Sequence, residues 1–145
     1  MIATRTCRLH ASCVDLAGNG VLITGRSGSG KSALALQLMA YGAALVSDDQ
    51  VIVTLDDQGL EATAPDALHG MIEARGIGLL RASVCSRSRL VAVIDLEQLE
   101  TDRLPPQLET MILNHPIRLL RRVDSPQFAS ALIQLLKCGA VNPDA

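Results

Sequence analysis

Apolar residues fall along this chain in short runs rich in Val, Ile and Leu, parted by Gly, Asp, Asn and Pro; two stretches are helix-forming instead. Ala11–Leu16 reads as a strand, and the Ala17-Gly18-Asn19-Gly20 turn folds it back as a hairpin onto Val21–Thr24. From Lys31 to about Tyr41 the run Ala33-Leu-Ala-Leu-Gln-Leu-Met39 predicts a helix, with Gly42 as its stop. Ala44–Ser47 and Val51–Leu55 are strand-like on either side of Asp48-Asp49, and Asp56-Asp57-Gln58-Gly59 turns into a further short strand, Leu60–Ala64. Leu90–Leu96 is apolar but for Asp95, the pattern of a strand buried on both faces. Pro105-Pro106 breaks the chain, Pro116–Val123 predicts a last strand, and Ser125–Cys138 a terminal helix with Pro126 in its first turn. Strands outnumber helices, and a hairpin feeds the segment after Thr24, so the simple alternation of strand and helix is not the expected plan.

That segment is Gly25-Arg26-Ser27-Gly28-Ser29-Gly30-Lys31-Ser32, a G-x-x-x-x-G-K-S pattern between a strand and a helix. Such a loop wraps backbone N–H groups around nucleotide phosphates, and the helix N-terminus behind it adds donors and partial positive charge. Lys31 is expected to reach the β- and γ-phosphates, and the Ser32 hydroxyl to ligate Mg²⁺. At ordinary residue frequencies the bare pattern arises by chance in roughly one chain of this length in a few hundred. The flanking strand and helix make chance rarer still.

At 145 residues the chain suits one domain, and a domain of that size buries about 68–70% of its unfolded surface without staples. Hydrophobic residues make up 48% of it, yet it has one Tyr, one Phe and no Trp, so the core is expected to be aliphatic. With so few aromatics to stack bases, single-stranded nucleic acid is not an expected partner. A net charge of −2 leaves no basic footprint for duplex DNA or an anionic membrane. No signal peptide or apolar run of membrane-spanning length stands out, and four cysteines without a C-x-x-C pair suit reduced, mostly buried thiols. The expected setting is cytoplasmic. Cys7, His10 and Cys13 invite a metal reading, but on one extended strand 7 and 13 share a face that 10 does not.

Three kinds of phosphate-binding protein compete. Gly28-x-Gly30-x-x-Ala33 with Asp48 beyond it imitates a dinucleotide fingerprint, but Gly25 already holds the strand-end position, and Lys31-Ser32 is left unexplained. A conventional small-molecule kinase or NTPase would use Asp95, at the end of Leu90-Val-Ala-Val-Ile, on the metal's water shell. In the third reading Asp48-Asp49 closes a strand beside the loop, in the crevice where such sheets bind ligands. Neighbouring carboxylates repel, which makes one of them the readier proton acceptor for a hydroxyl. A non-catalytic module that only senses ATP stands as the rival outside enzymes.

The chain resembles the catalytic domain of HPr kinase/phosphorylase, the bacterial enzyme that phosphorylates a serine of the phosphocarrier protein HPr. The resemblance rests on His10-Ala-Ser-Cys-Val-Asp-Leu, VLITGRSGSGKS at 21–32, LVSDDQV at 45–51, Glu73-Ala-Arg75-Gly76-Ile-Gly78 and Thr101-Asp-Arg103-Leu. It runs over about residues 8–123, with the terminal helix at about 125–138, so that 1–145 reads as a single catalytic domain. It implies an α/β fold of the variant phosphate-loop kind shared with phosphoenolpyruvate carboxykinases: a central mixed sheet, a hairpin leading into the loop, and flanking helices. It implies ATP and Mg²⁺ as cofactors, an HPr-like acceptor, and a hexamer of identical chains. By position, Asp49 resembles the proton acceptor for the serine hydroxyl, Asp48 its electrostatic partner, and His10 an active-site histidine. Glu73 resembles a second Mg²⁺ ligand, Arg75, Gly76 and Gly78 fall in a segment used in both reaction directions, and Arg103 resembles the catalytic arginine.

Two departures bear on function. The sequence begins almost at the catalytic domain, which implies a short form without the family's N-terminal domain. In the segment tied to dephosphorylation the family's Gly-Arg pair is replaced within Asn114-His-Pro116-Ile-Arg118-Leu-Leu-Arg-Arg-Val-Asp124. The expectation is therefore kinase activity with weak or absent phosphorylase activity. If Pro116–Val123 is a strand, Arg121 and Arg122 point to opposite faces, so at most one can serve phosphate.

Overall fold

The computed structural model describes residues 5–65 and 70–141. The chain runs β1 (Arg5–Leu9), β2 (Ala11–Leu16), β3 (Asn19–Thr24), α1 (Lys31–Ala40), β4 (Ala44–Ser47), β5 (Val51–Asp56), β6 (Gly59–Thr63), β7 (Met71–Ala74), β8 (Gly78–Arg81), β9 (Arg87–Leu99), β10 (Leu108–Ile112), β11 (His115–Arg122) and α2 (Phe128–Cys138). Nine of these strands form one mixed sheet in the order β1-β5-β6-β9-β3-β2-β4, with β11 on β9 and β10 on β11; β7 and β8 pair as a separate hairpin. Among the described residues no helix is long and apolar enough to cross a membrane.

The expected hairpin is there: β2 and β3 pair antiparallel from Ala11↔Thr24 to Leu16↔Asn19. Its turn is tighter than the four residues read from the sequence. Ala17 and Gly18 alone carry it, both left-handed at φ 53° and 91°, the twist that two-residue hairpins favour. Gly20 then allows β9 to lie close, since a Cβ there would stand 3.1 Å from the Arg89 carbonyl and strike Ser88 Oγ.

β9 is the spine. One edge pairs parallel with β3, while the other takes antiparallel β6 at its start and parallel β11 beyond. Ala92, Val93 and Ile94 are buried in succession, as a strand covered on both faces requires, although Val91 is 40% exposed. Alternate residues feed two cores. Val21, Ile23, Ala92 and Ile94 meet α1 and α2, which bury Leu34, Ala35 and Leu38, and Ala129, Leu132, Ile133 and Leu136, at helical spacing. Leu22 and Val93 face a second core built by strands alone, with Val51, Val53, Leu55, Leu60 and Ala62, as the sheet curls over itself.

Several boundaries differ from expectation. β9 is 13 residues long, because Ser88 and Arg89 at its polar start find partners in Asp15 and Asp56. α2 begins at Phe128, since Ser125–Gln127 form a turn in which Phe128 N donates to Ser125 O. Cys7 and Cys13 lie on different strands, β1 and β2, with a bend at His10 between them, so they never share the single strand assumed for them. Nor are the thiols mostly buried: Cys13 is, Cys7 and Cys85 are half-buried, and Cys138 is exposed. Burial pushes the Cys13 thiol far above its ordinary range, which keeps it neutral and inert.

Candidate active site

The loop Gly25–Gly30 leaves β3 and enters α1 with left-handed glycines at 28 and 30 (φ 85° and 103°), positions where a side chain would be strained. A Cβ on Gly25 would run into Ser29 Oγ across the loop. The first N–H groups of α1 have no acceptor within the helix and open toward the loop. Lys31, only 7% exposed, threads back inside, its Nζ donating to the carbonyls of Gly25 (2.7 Å) and Arg26 (3.0 Å).

Behind the loop lies Asp48, also 7% exposed. Its Oδ1 accepts from Ser32 Oγ and from Ser12 Oγ, both at 2.7 Å, and its Oδ2 faces the Glu73 N–H at 3.4 Å. The carboxylate thus ties α1, β2 and β7 together. Because Ser32 gives its single proton to Asp48, its lone pairs are left for a metal ion.

Asp49 behaves differently. Its φ of 73° is left-handed, uncommon for a non-glycine residue, and swings its side chain away from Asp48 into the open at 62% exposure. The pair was expected to close a strand; instead both aspartates lie past the end of β4, and the turn separates them. Asp49 Oδ1 meets His10 Nδ1 at 3.3 Å, and His10 Nε2 lies 3.5 Å from Ser27 Oγ in the loop.

Of these side chains, the buried Asp48 does not join the lining of the cleft of about 570 Å³ that the loop borders. His10, Lys31, Ser32, Asp49, Glu73 and Arg75 line it, together with Ser27, Gly28 and Gly30 of the loop and an apolar wall of Ala33, Leu36, Ala74 and Ile77. Glu73 and Arg75 come from the β7–β8 hairpin, which packs Ile72 and Leu80 into the helical core; Gly76 and Gly78 shape its tip, outside the cleft lining, with φ 85° and 139°. Among the described residues no three His, Cys, Asp or Glu converge as a metal cluster. Ser32 and Glu73 put oxygen donors into the cleft, as do Asp49 and Ser27; a pair of such donors fits Mg²⁺, which takes one or two protein oxygens and completes its shell with phosphate and water.

Two candidates fall elsewhere. Arg103 is exposed in the β9–β10 connection and does not line the cleft, nor has it a hydrogen-bond or ion-pair partner among the described residues. Asp95, the rival metal aspartate, spends its Oδ1 on the N–H of Glu97 at 2.9 Å and also lies outside the cleft lining. Sequence reading missed Ser12, which looks like any strand serine until its hydroxyl is found on Asp48. It also missed a smaller cleft of about 350 Å³ on the loop's other flank, between Arg26, Glu97 and Arg122, where Arg26 pairs with Glu97 at 2.7 Å.

A curated relative, HPr kinase/phosphorylase of Clostridium kluyveri, is 43% identical over 126 residues, covering 79% of this chain and 41% of the relative. That of Polaromonas naphthalenivorans is 33% identical over 141 residues, covering 87% and 45%. The chain spans less than half the length of these relatives. Among solved structures, the Hpr(Ser) kinase/phosphatase from Coxiella burnetii superposes with a TM-score of 0.76 at 26% identity, over 90% of this chain and 93% of that one. Residues 2–120, which include the loop, the aspartate pair, the β7–β8 hairpin and Arg103, match the family described as HPr Serine kinase C-terminal domain, and to that family the chain belongs.

Proposed function

We propose that this chain is a protein-serine kinase, moving the γ-phosphoryl group of ATP to a seryl hydroxyl of an HPr-type phosphocarrier protein. One observation carries the reading: the loop and an exposed, histidine-held carboxylate, Asp49, line the same cleft. The rival use of Asp95 has no such support, since its carboxylate is turned onto its own backbone.

The proposed chemistry follows from position. The loop N–H groups and Lys31 hold the β- and γ-phosphates, Lys31 exchanging its two carbonyl partners for phosphate oxygens. Ser32 and Glu73 would hold Mg²⁺, which supplies charge neutralisation on the phosphate oxygens. Asp49 takes the proton of the incoming serine; the serine oxygen bonds to the γ-phosphorus as the bond to the β–γ bridging oxygen breaks, and ADP leaves. His10 keeps the Asp49 carboxylate aimed into the cleft. The proposed fold kinship is with the phosphate-loop variant of phosphoenolpyruvate carboxykinases, and the proposed setting is the cytoplasm, where ATP and reduced thiols are found.

Purified chain, radiolabelled ATP and an HPr-type acceptor test the proposal. Label on the acceptor's serine is the expected result. Label on small molecules instead would favour a conventional kinase, and binding without turnover an ATP-sensing module; either outcome overturns it.

A further inference from the structure

Ser12 carries no role in the chemistry above, yet its side chain is placed with unusual care. It is fully buried in β2, and its hydroxyl donates to Asp48 Oδ1 at 2.7 Å. The same oxygen accepts from Ser32 Oγ at 2.7 Å, and the other carboxylate oxygen looks to the Glu73 N–H at 3.4 Å. A carboxylate turns easily about its last torsion. Two hydroxyl donors arriving on one oxygen, from opposite elements, fix its plane. With Ser12 gone, Oδ1 would keep only Ser32, and nothing on β2 would stop the group from rotating away from Glu73.

We propose that Ser12 is a positioning residue of the nucleotide site: through Asp48 it sets where the Ser32 lone pairs point and how close the Glu73 strand stands to the loop. The proposal rests on the reading of Ser32 and Glu73 as the metal-side ligands of ATP. Burial makes Ser12 effective for the purpose, since a hydrogen bond to a charged group is stronger where water cannot compete. Nothing else on β2 substitutes for it: the side chains flanking Ser12, Ala11 and Cys13, face the strand-only core.

The test uses the full chain as wild type, Ser12→Ala, Asp48→Ala and the double variant. Two quantities are read: amide exchange at Glu73 in the nucleotide-free protein, and ATP affinity with and without Mg²⁺. In Ser12→Ala, Glu73 should exchange faster, and the Mg²⁺ concentration for half-maximal ATP binding should rise about tenfold, the scale of one charged hydrogen bond. ATP affinity without Mg²⁺ should stay at the wild-type value. The double variant should exchange at Glu73 no faster than Asp48→Ala alone, because Ser12 acts only through that carboxylate. Unchanged Mg²⁺ dependence, an equal loss of ATP affinity with and without Mg²⁺, or additive exchange effects would each overturn the proposal. A wild-type chain that binds no Mg²⁺–ATP would sink the kinase reading and this inference with it, a failure seen before any variant is made.

Discussion

Asp48 and Asp49 are adjacent, identical in chemistry, and divided by one backbone angle. Asp48 is sealed among three donors, while Asp49, left-handed at φ 73°, hands its carboxylate to the cleft and to His10. A positioned base is worth about 10²–10⁴ in rate, so Asp49→Asn should lose that much kcat with ATP binding kept. Asp48→Ala should instead unfold more easily, by about 1–3 kcal/mol in urea, since it leaves the buried Ser12 hydroxyl without an acceptor. Asp95→Asn should cost little in rate; a large kcat loss there with none at Asp49 would favour the conventional kinase. Lys31→Ala should abolish transfer and severely weaken ATP binding by calorimetry, whereas Ser32→Ala should chiefly raise the Mg²⁺ requirement. Turnover unchanged in Lys31→Ala would sink the reading of the loop. At this scale the loop's backbone was legible because the glycine spacing between a strand and a helix dictates it. Which aspartate faces the cleft was not, because a left-handed non-glycine leaves no mark in composition or pattern. Ser12 was invisible for a related reason: its role depends on a partner 36 positions away. Arg103 was singled out by resemblance alone, and the fold does not carry it to the cleft.

Among the elements, those that send several apolar side chains into a core were the ones whose pattern showed. β2, β3, β4, β5 and α1 fall within a residue or two of expectation because burial had already filtered their composition. The elements that went unread are short and half-wet. β1 is Arg5-Thr-Cys-Arg-Leu9 at a sheet edge; β7 and β8 have four residues each; β10 is partly exposed throughout. Strands of that kind have too few apolar positions for alternation to rise above chance. The close approach at Gly20 gives an element-level prediction. Gly20→Ala must push β9 away from β3, and overpacking of this kind costs about 1–3 kcal/mol, readable as a shifted urea midpoint. A midpoint equal to wild type would mean that the strands have room to spare. The expectation of weak or absent phosphorylase activity rests on β11. A register shift between Arg121 and Arg122 parts them: Arg121 binds Gln98, while Arg122 borders the loop's smaller cleft. There it is already committed to Asp124 and to the Leu96 carbonyl, and Arg118 lies by α2 instead. No guanidinium of this strand is thus free beside the loop to hold inorganic phosphate. Phosphoserine-HPr with Mg²⁺ and millimolar phosphate should release pyrophosphate about a hundredfold more slowly than forward transfer runs, the scale of one missing charge-stabilising donor. Comparable rates in the two directions would refute this.

For the whole molecule the question is how much of its apolar character the fold consumes. Mean hydropathy is positive at +0.28, and the two cores absorb most of the Val, Ile and Leu of the central strands and both helices. A remainder stays outside: Ile77 and Leu79 on the β7–β8 hairpin are 78% and 66% exposed, and Leu104 and Met111 in and beyond the β9–β10 connection are 77% and 59%. Composition could not tell a rich core from an apolar exterior; the structure has two cores and leaves these few apolar side chains exposed. Single exposed apolar side chains are ordinary on a monomer, and an interface between copies is one thing that would cover them. Resemblance to the family implies a hexamer of catalytic domains, an expectation that can be tested directly. Static light scattering at micromolar concentration should therefore return a mass several times that of the 15.4 kDa chain. Replacing Leu104 and Met111 together with charged residues should lower that mass while leaving the melting temperature within a few degrees, since neither contributes to a core. A wild-type protein that scatters as a clean monomer would count against assembly, and would make these side chains the ordinary apolar exposure of a monomer.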